Sequence, residues 1–323
     1  MNRIFGLLLV SALLVPTAII AQDINDVSDH LQSVSVTIKA GSSQGSGVIK
    51  TREINGKKVN FVWTAGHVVD GLRVERNVVD PKTGTPRKIV EFKDASIVKQ
   101  LVENGRRVGQ IEMDVEVIKF SDAKDGHDLA LLKVRKEGFI DETVEFNLSE
   151  NIPRIGTRLY HVGSLLGIDG ANSMTDGIVS QIGRVYPGIN KKIFDQTTCH
   201  AFPGSSGGGV YLQDGKYIGM LVRGAGESFN LIVPMRRLLE FAREAGIEWA
   251  IDSNIPVPDD WDKLKIEEIG TEFVDKSQVE GDIDNKEYNF KFWIYETTNT
   301  SQGDTRENAF RDHINLGVYN TGQ

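Results

Sequence analysis

Pro203-Gly204-Ser205-Ser206-Gly207-Gly208-Gly209-Val210 is the stretch whose reading decides the fold. A serine hydroxyl is a weak nucleophile until a base takes its proton. Glycines around it let the chain expose that oxygen and aim neighbouring backbone N–H groups at one point. The same Gly-x-Ser-x-Gly string also occurs at the strand–helix elbow of an unrelated hydrolase architecture, where the acid and the histidine follow the serine. Here Thr64-Ala65-Gly66-His67 and His127-Asp128-Leu129-Ala130-Leu131-Leu132 both precede it, and His313 is the one histidine that follows. The order His67…Asp128…Ser206 therefore selects a β-rich alternative.

Outward from this stretch the chain reads as short strands. Val34, Val36 and Ile38 alternate, and Val48-Ile49 and Phe61-Val62-Trp63 flank Asn55-Gly56, a dipeptide suited to a tight hairpin turn. Further strands are expected at 88–92, 96–101, 115–120 and 129–134. After a polar connection over 137–153 they follow at 158–162, 175–182, 193–198, 208–211, 217–222 and 229–233. Pro234 to Arg243 reads as a helix with proline at its start and Gly246 as its cap. The expected fold is all-β: a first barrel over about 33–140, a second over about 154–235, and a closing helix over about 235–245.

At 323 residues, with a hydrophobic share of 40%, the chain has ample material for a core. Its net charge of −8 argues against nucleic acid as a partner. Arg3, the apolar run Ile4 to Val15 and the small residues up to Ala21 form a secretory leader over 1–21; the competing reading is an uncleaved membrane anchor. After cleavage no stable membrane insertion is expected. The single cysteine, Cys199, excludes an intrachain disulfide and a cysteine-rich metal site, and it reads as a small buried residue. No metal or other cofactor is implied. Beyond Ile251 the composition changes, with Tyr288 to Tyr295 as a strand and a short helix near 304–313, and 251–323 is read as a small α/β or irregular extension.

Six ordered segments carry a resemblance. They are Gly45-Ser46-Gly47-Val48-Ile49, Trp63 to Val69, Asp128 to Val134, Gly163 to Gly167 with Thr175 to Ser180, Pro203 to Val210, and Tyr217 to Met220. Together they resemble the trypsin-like serine peptidases, most nearly the bacterial HtrA/Deg type, over roughly 34–241. The resemblance implies two six-stranded antiparallel barrels and peptide-bond hydrolysis of protein or peptide substrates. It implies His67 as base, Asp128 as its orienting acid, Ser206 as nucleophile, and the backbone N–H groups of Gly204 and Ser206 as an oxyanion hole. Ser205 is the competing nucleophile, but the Gly-x-Ser-Gly-Gly frame favours Ser206.

The chain departs from the pattern at Ser205, where asparagine is usual, at Gly209, where proline is common, and at Leu165 in place of a proline. No PDZ domain is recognisable after Ile251. His200, six residues before Ser206, stands where the family sets the base of its specificity pocket, although a plain wall residue fits equally. Met220, Leu221 and Val222 hint at apolar substrate side chains. His127 reads as a loop histidine and His161 as strand packing. The competing class is a catalytically silent protein that uses the same cleft for peptide or protein recognition.

Overall fold

The computed structural model describes residues 24–79, 86–103, 106–186, 188–224 and 228–261. The leader over 1–21, the strand expected at 288–295 and the helix expected near 304–313 lie outside these residues. Among the described residues, no helix is long and apolar enough to cross a membrane.

Fourteen strands account for most of the described chain. The first barrel draws on β1 (Ser35–Ala40), β2 (Ser43–Ile54) and β3 (Lys57–Thr64). A side hairpin follows, made of β4 (Arg73–Val79) and β5 (Pro86–Phe92). The barrel then closes with β6 (Ala95–Glu103), β7 (Arg106–Ser121) and β8 (Leu129–Val134) in the order β1-β2-β3-β8-β7-β6. The turn between β2 and β3 has both Asn55 and Gly56 at positive φ, the backbone a two-residue hairpin of this hand requires. Ile38, Ile49, Val62 and Leu132 are fully buried in its core.

The second barrel comprises β9 (Arg158–Leu165), β10 (Gly170–Tyr186), β11 (Asn190–Thr197), β12 (Gly209–Leu212), β13 (Tyr217–Gly224) and β14 (Asn230–Pro234), closed in the order β10-β11-β14-β13-β12-β9. Two closed six-stranded antiparallel barrels are the all-β fold expected from the chain. Closure removes exposed strand edges and lets each barrel bury one face of every strand.

Three α-helices, besides short 3-10 turns, accompany the barrels: α1 (Ile24–Ser33), α2 (Gly66–Val69) and α3 (Met235–Glu244). Sequence reading missed α1, whose Val27 and Leu31, four residues apart, are buried in the core. It also missed β4, half of a hairpin outside both barrels. Helix α3 starts after Pro234 and buries Leu238, Phe241 and Ala242; Gly246, at φ +67°, ends it, and Ile247 N–H reaches the Ala242 carbonyl at 2.8 Å.

The segment after α3 stays packed on the first barrel beyond residue 250. The buried Arg52 of β2 donates to the carbonyls of Trp249, Asp252 and Ile255, and Trp63 Nε1 donates to the Ala250 carbonyl at 3.0 Å. Phe61 meets Trp249 and Trp261 edge-on, at 5.0 and 5.8 Å between ring centres. The polar connection after β8 is docked as well: Val144 N–H bonds the Ile49 carbonyl of barrel one, and Asn147 N–H bonds the Tyr217 carbonyl of barrel two.

Candidate active site

The site lies where the barrels meet, and each barrel supplies part of it. His67 sits in the single turn of α2 that directly follows β3. Its Nδ1 lies 2.9 Å from Asp128 Oδ1 and 3.1 Å from Oδ2, and its backbone N–H donates to Oδ1 at 3.0 Å. The Asp128 side chain is 1% exposed and that of His67 is 35% exposed, so the acid is locked away while the imidazole reaches the cleft.

Burial works against charge on both groups, and their pairing wins. The Asp128 carboxylate raises the His67 imidazole above its ordinary 6.5 despite desolvation. In turn His67 holds the buried Asp128 carboxyl below its ordinary range.

Asp128 reaches this position through an unusual backbone, at φ +55°. Aspartate tolerates that left-handed conformation better than bulkier residues. The loop before it is tied down throughout. Asp128 N–H bonds the Asp122 carbonyl at 2.9 Å, His127 N–H bonds Ser121 Oγ at 2.6 Å, and Asp122 Oδ1 accepts from Lys124 and Asp125 N–H. From the second barrel's helix, the buried Arg237 donates to the Gly126 carbonyl at 3.3 Å.

The serine loop separates its two serines clearly. Ser205 is fully buried, and its Oγ accepts from Phe202 N–H at 3.1 Å, so it fastens the loop to itself. Ser206 is half-buried, and its hydroxyl donates to the Val222 carbonyl at 3.2 Å. Among the described residues, no hydrogen bond joins that hydroxyl to His67. The N–H groups of Gly204 and Ser206 have no acceptor among the described residues, whereas Ser205, Gly207 and Gly208 N–H are all engaged within the fold. Two free donors on one turn, beside a partly exposed hydroxyl, is the disposition an oxyanion needs.

Glycine is required at two places here. Gly204 has φ +96°, and a Cβ would lie 2.3 Å from the Ser164 carbonyl oxygen; Gly207 has φ +90°, and a Cβ would lie 2.1 Å from the Ser46 carbonyl oxygen. Both contacts are with rigid backbone.

Ser46 is the residue whose part the sequence did not announce; it stood out only as the middle of Gly45-Ser46-Gly47. From β2 of the first barrel its N–H bonds the Ser206 carbonyl at 2.7 Å and its Oγ bonds the Gly204 carbonyl at 2.7 Å. The same Oγ accepts from Ser164 N–H at 2.7 Å. Thr64 Oγ1, at the end of β3, donates to the Ser46 carbonyl at 2.7 Å. One serine thus pins two carbonyls of the nucleophile loop from the opposite barrel, fixing the peptide planes on either side of Ser206.

The other candidates divide. His200 is exposed, and its carbonyl accepts from Thr175 Oγ1 at 2.9 Å. Met220, Leu221 and Val222 are at most 2% exposed and pack among core side chains of β13. Cys199 is buried, and burial pushes its thiol up to about 11. His161 is buried with Nδ1 3.0 Å from the Gly209 carbonyl, and burial pushes it down to about 4. His127 is buried beneath α3, its Nε2 3.0 Å from Glu244 Oε2.

A model of the trypsin-like peptidase domain matches residues 31–220. A probable periplasmic serine endoprotease, DegP-like, from Pseudomonas fulva (strain 12-X) is 38% identical over 93 residues, which is 29% of this chain and 18% of that protein. A counterpart from Halomonas elongata is 36% identical over 93 residues, covering 29% and 19%. This chain therefore aligns with less than a fifth of the length of those relatives. Among solved structures, a serine endoprotease from Yersinia pestis has a TM-score of 0.48 at 18% identity, covering 69% of this chain and 66% of that one. Deg5 has a TM-score of 0.49 at 20% identity, covering 71% and 96%. Two closed barrels, a histidine and an aspartate in contact, and a glycine-bound serine across the cleft accompany a family match over more than half the chain: this protein belongs to the trypsin-like peptidase family.

Proposed function

We propose that the chain is an exported serine endopeptidase that hydrolyses peptide bonds through His67, Asp128 and Ser206. The observation that carries this reading is the buried Asp128 carboxylate on His67 Nδ1, opposite a serine loop whose Gly204 and Ser206 N–H groups are unengaged.

For attack, the Ser206 hydroxyl turns from the Val222 carbonyl toward His67 Nε2. Ser206 Oγ then bonds the substrate carbonyl carbon while His67 Nε2 takes its proton. Asp128 keeps Nδ1 protonated, so that Nε2 is the basic nitrogen, and it stabilises the imidazolium that forms. The oxyanion rests on the N–H groups of Gly204 and Ser206. On collapse the C–N bond breaks and His67 returns its proton to the leaving amine; water then repeats the sequence on the acyl-serine. Substrate side chains would enter beside His200 at the surface, whereas Met220, Leu221 and Val222 belong to the core beneath. The DegP-like relatives are named periplasmic, which accords with reading 1–21 as a leader for export.

A fluorophosphonate probe tests the reading. Labelling is expected at Ser206 and lost in both Ser206→Ala and His67→Ala. A folded protein that never labels, with substrate peptides present, would return the chain to the binding-protein class.

A further inference from the structure

Among the described residues, the arginine that follows Val222 has no counter-charge. Arg223 is half-buried on β13, one residue beyond the carbonyl that holds the Ser206 hydroxyl. Its Nε is out of contact with water and has no hydrogen-bond partner. Its backbone pairs with Leu231 of β14 on one side.

Arg73 and Arg237 also have a shielded, unmatched Nε, but their terminal nitrogens are engaged. Among the described residues, Arg52 and Arg237 donate to backbone carbonyls, Arg73 pairs with Glu75, and Arg236 makes a double contact with Asp195. Among the same residues, Arg223 has neither a carboxylate nor a carbonyl. Its charge acts on both His67 and Asp128, lowering the proton affinity of each. Asp70 acts on His67 in the opposite sense and is not paired with Arg223.

A shielded guanidinium donor without an acceptor is costly to the free protein, and a carboxylate meets its fork of donors in two parallel bonds. The chain has 45 acidic residues against 37 basic ones, so a shortage of carboxylates does not explain the gap. We infer that Arg223 is a specificity-determining residue, left open in the cleft to receive an acidic side chain of the peptide substrate. This deepens the peptidase reading and rests on it. The substrate class is then peptides with Asp or Glu close to the scissile bond. Binding such a carboxylate also relieves the pressure that Arg223 places on the His67 imidazolium, so the group that docks the substrate favours the charge the reaction creates.

The test is a set of fluorogenic peptides carrying one Glu, one Gln or one Lys, moved through each position flanking the scissile bond. The full-length protein is expected to prefer Glu over Gln at one position by about tenfold to a hundredfold in kcat/KM, the range of a charged hydrogen bond. That ratio should collapse toward one in Arg223→Gln and turn in favour of Lys in Arg223→Glu. It is read within each variant, so a general loss of activity or folding does not mimic the result, and a gain toward Lys cannot come from unfolding. Labelling of Ser206 by the fluorophosphonate with no charge preference at any position, or without peptide cleavage, overturns this inference alone, as does a Glu preference that survives in Arg223→Gln. Absence of both labelling and cleavage overturns the peptidase reading and this inference with it.

Discussion

The acid–base pair and the nucleophile loop are held by different kinds of force. On the first barrel, His67 and Asp128 are assembled by charge: a buried carboxylate accepts from an imidazole and a backbone N–H, and the pairing outweighs desolvation. On the second barrel, the Gly204–Gly208 loop is shaped by backbone: two positive-φ glycines, internal N–H bonds, and the clamp that Ser46 extends from the other barrel. The first region is preassembled. In the second, the Gly204 and Ser206 N–H groups have no acceptor among the described residues, and the Ser206 hydroxyl rests on the Val222 carbonyl. The two halves should therefore fail differently when damaged.

The largest effect is expected at the charge-held half. Asp128→Asn should lower the rate of fluorophosphonate labelling by about ten-thousand-fold, because an amide no longer selects the imidazole tautomer with Nε2 as base. A loss of tenfold or less would mean that the carboxylate does not orient the base. The nucleophile half should respond next: Gly204→Ala is expected to cost roughly a hundred- to a thousandfold, the usual range for one lost oxyanion donor, since a side chain must push the loop off the Ser164 carbonyl. Near-normal labelling would show that the Gly204 N–H is not used.

Ser46→Ala divides the two regions most sharply. It leaves the His67–Asp128 contact untouched and removes one clamp on the Gly204 carbonyl, so labelling should slow by about tenfold, the worth of one modest hydrogen bond. The acid limb of its pH profile should stay where the parent's lies. That limb reports His67 as a base, active when neutral. Because Asp128 raises the imidazole, the parent should lose activity as pH falls through a value above 6.5, and the residual labelling of Asp128→Asn should persist to lower pH. A Ser46→Ala profile that moved like that of Asp128→Asn would break the division between the halves.

The smallest effect on chemistry should come from the strap beyond α3. Truncation after Ile251 removes Trp261 and the Asp252 and Ile255 carbonyls that Arg52 holds, far from Ser206 in the chain. Labelling by the fluorophosphonate should survive. Stability should fall by about 2–4 kcal/mol in a denaturant titration, from two unmet charged hydrogen bonds and a lost aromatic contact. The composition change beyond Ile251 set off an extension there, and its first residues, up to 261, pack on the first barrel. That reach was illegible because its signal is a buried arginine gathering carbonyls, and carbonyls carry no residue identity.

Other features divide along the same physical line. The hairpin at Asn55-Gly56, the alternation of Val34, Val36 and Ile38, and the proline and glycine bounding α3 were readable because each is a local backbone preference written in residue type. The order His67…Asp128…Ser206 was likewise readable, since covalent order rules out architectures that need another sequence of parts. The preference for Ser206 over Ser205 came from the glycine frame, and the buried Ser205 gives it a physical basis. By contrast, the Ser46 clamp, the Arg237 contact to the Asp128 loop and the unpaired state of Arg223 depend on which groups meet across more than a hundred residues or fail to meet at all. Local propensity determined the strands, turns and candidate chemistry of this chain. Only tertiary structure decided which carbonyls are pinned, which N–H groups remain free and which charge is left unmatched, because those follow from the packing of one barrel against the other.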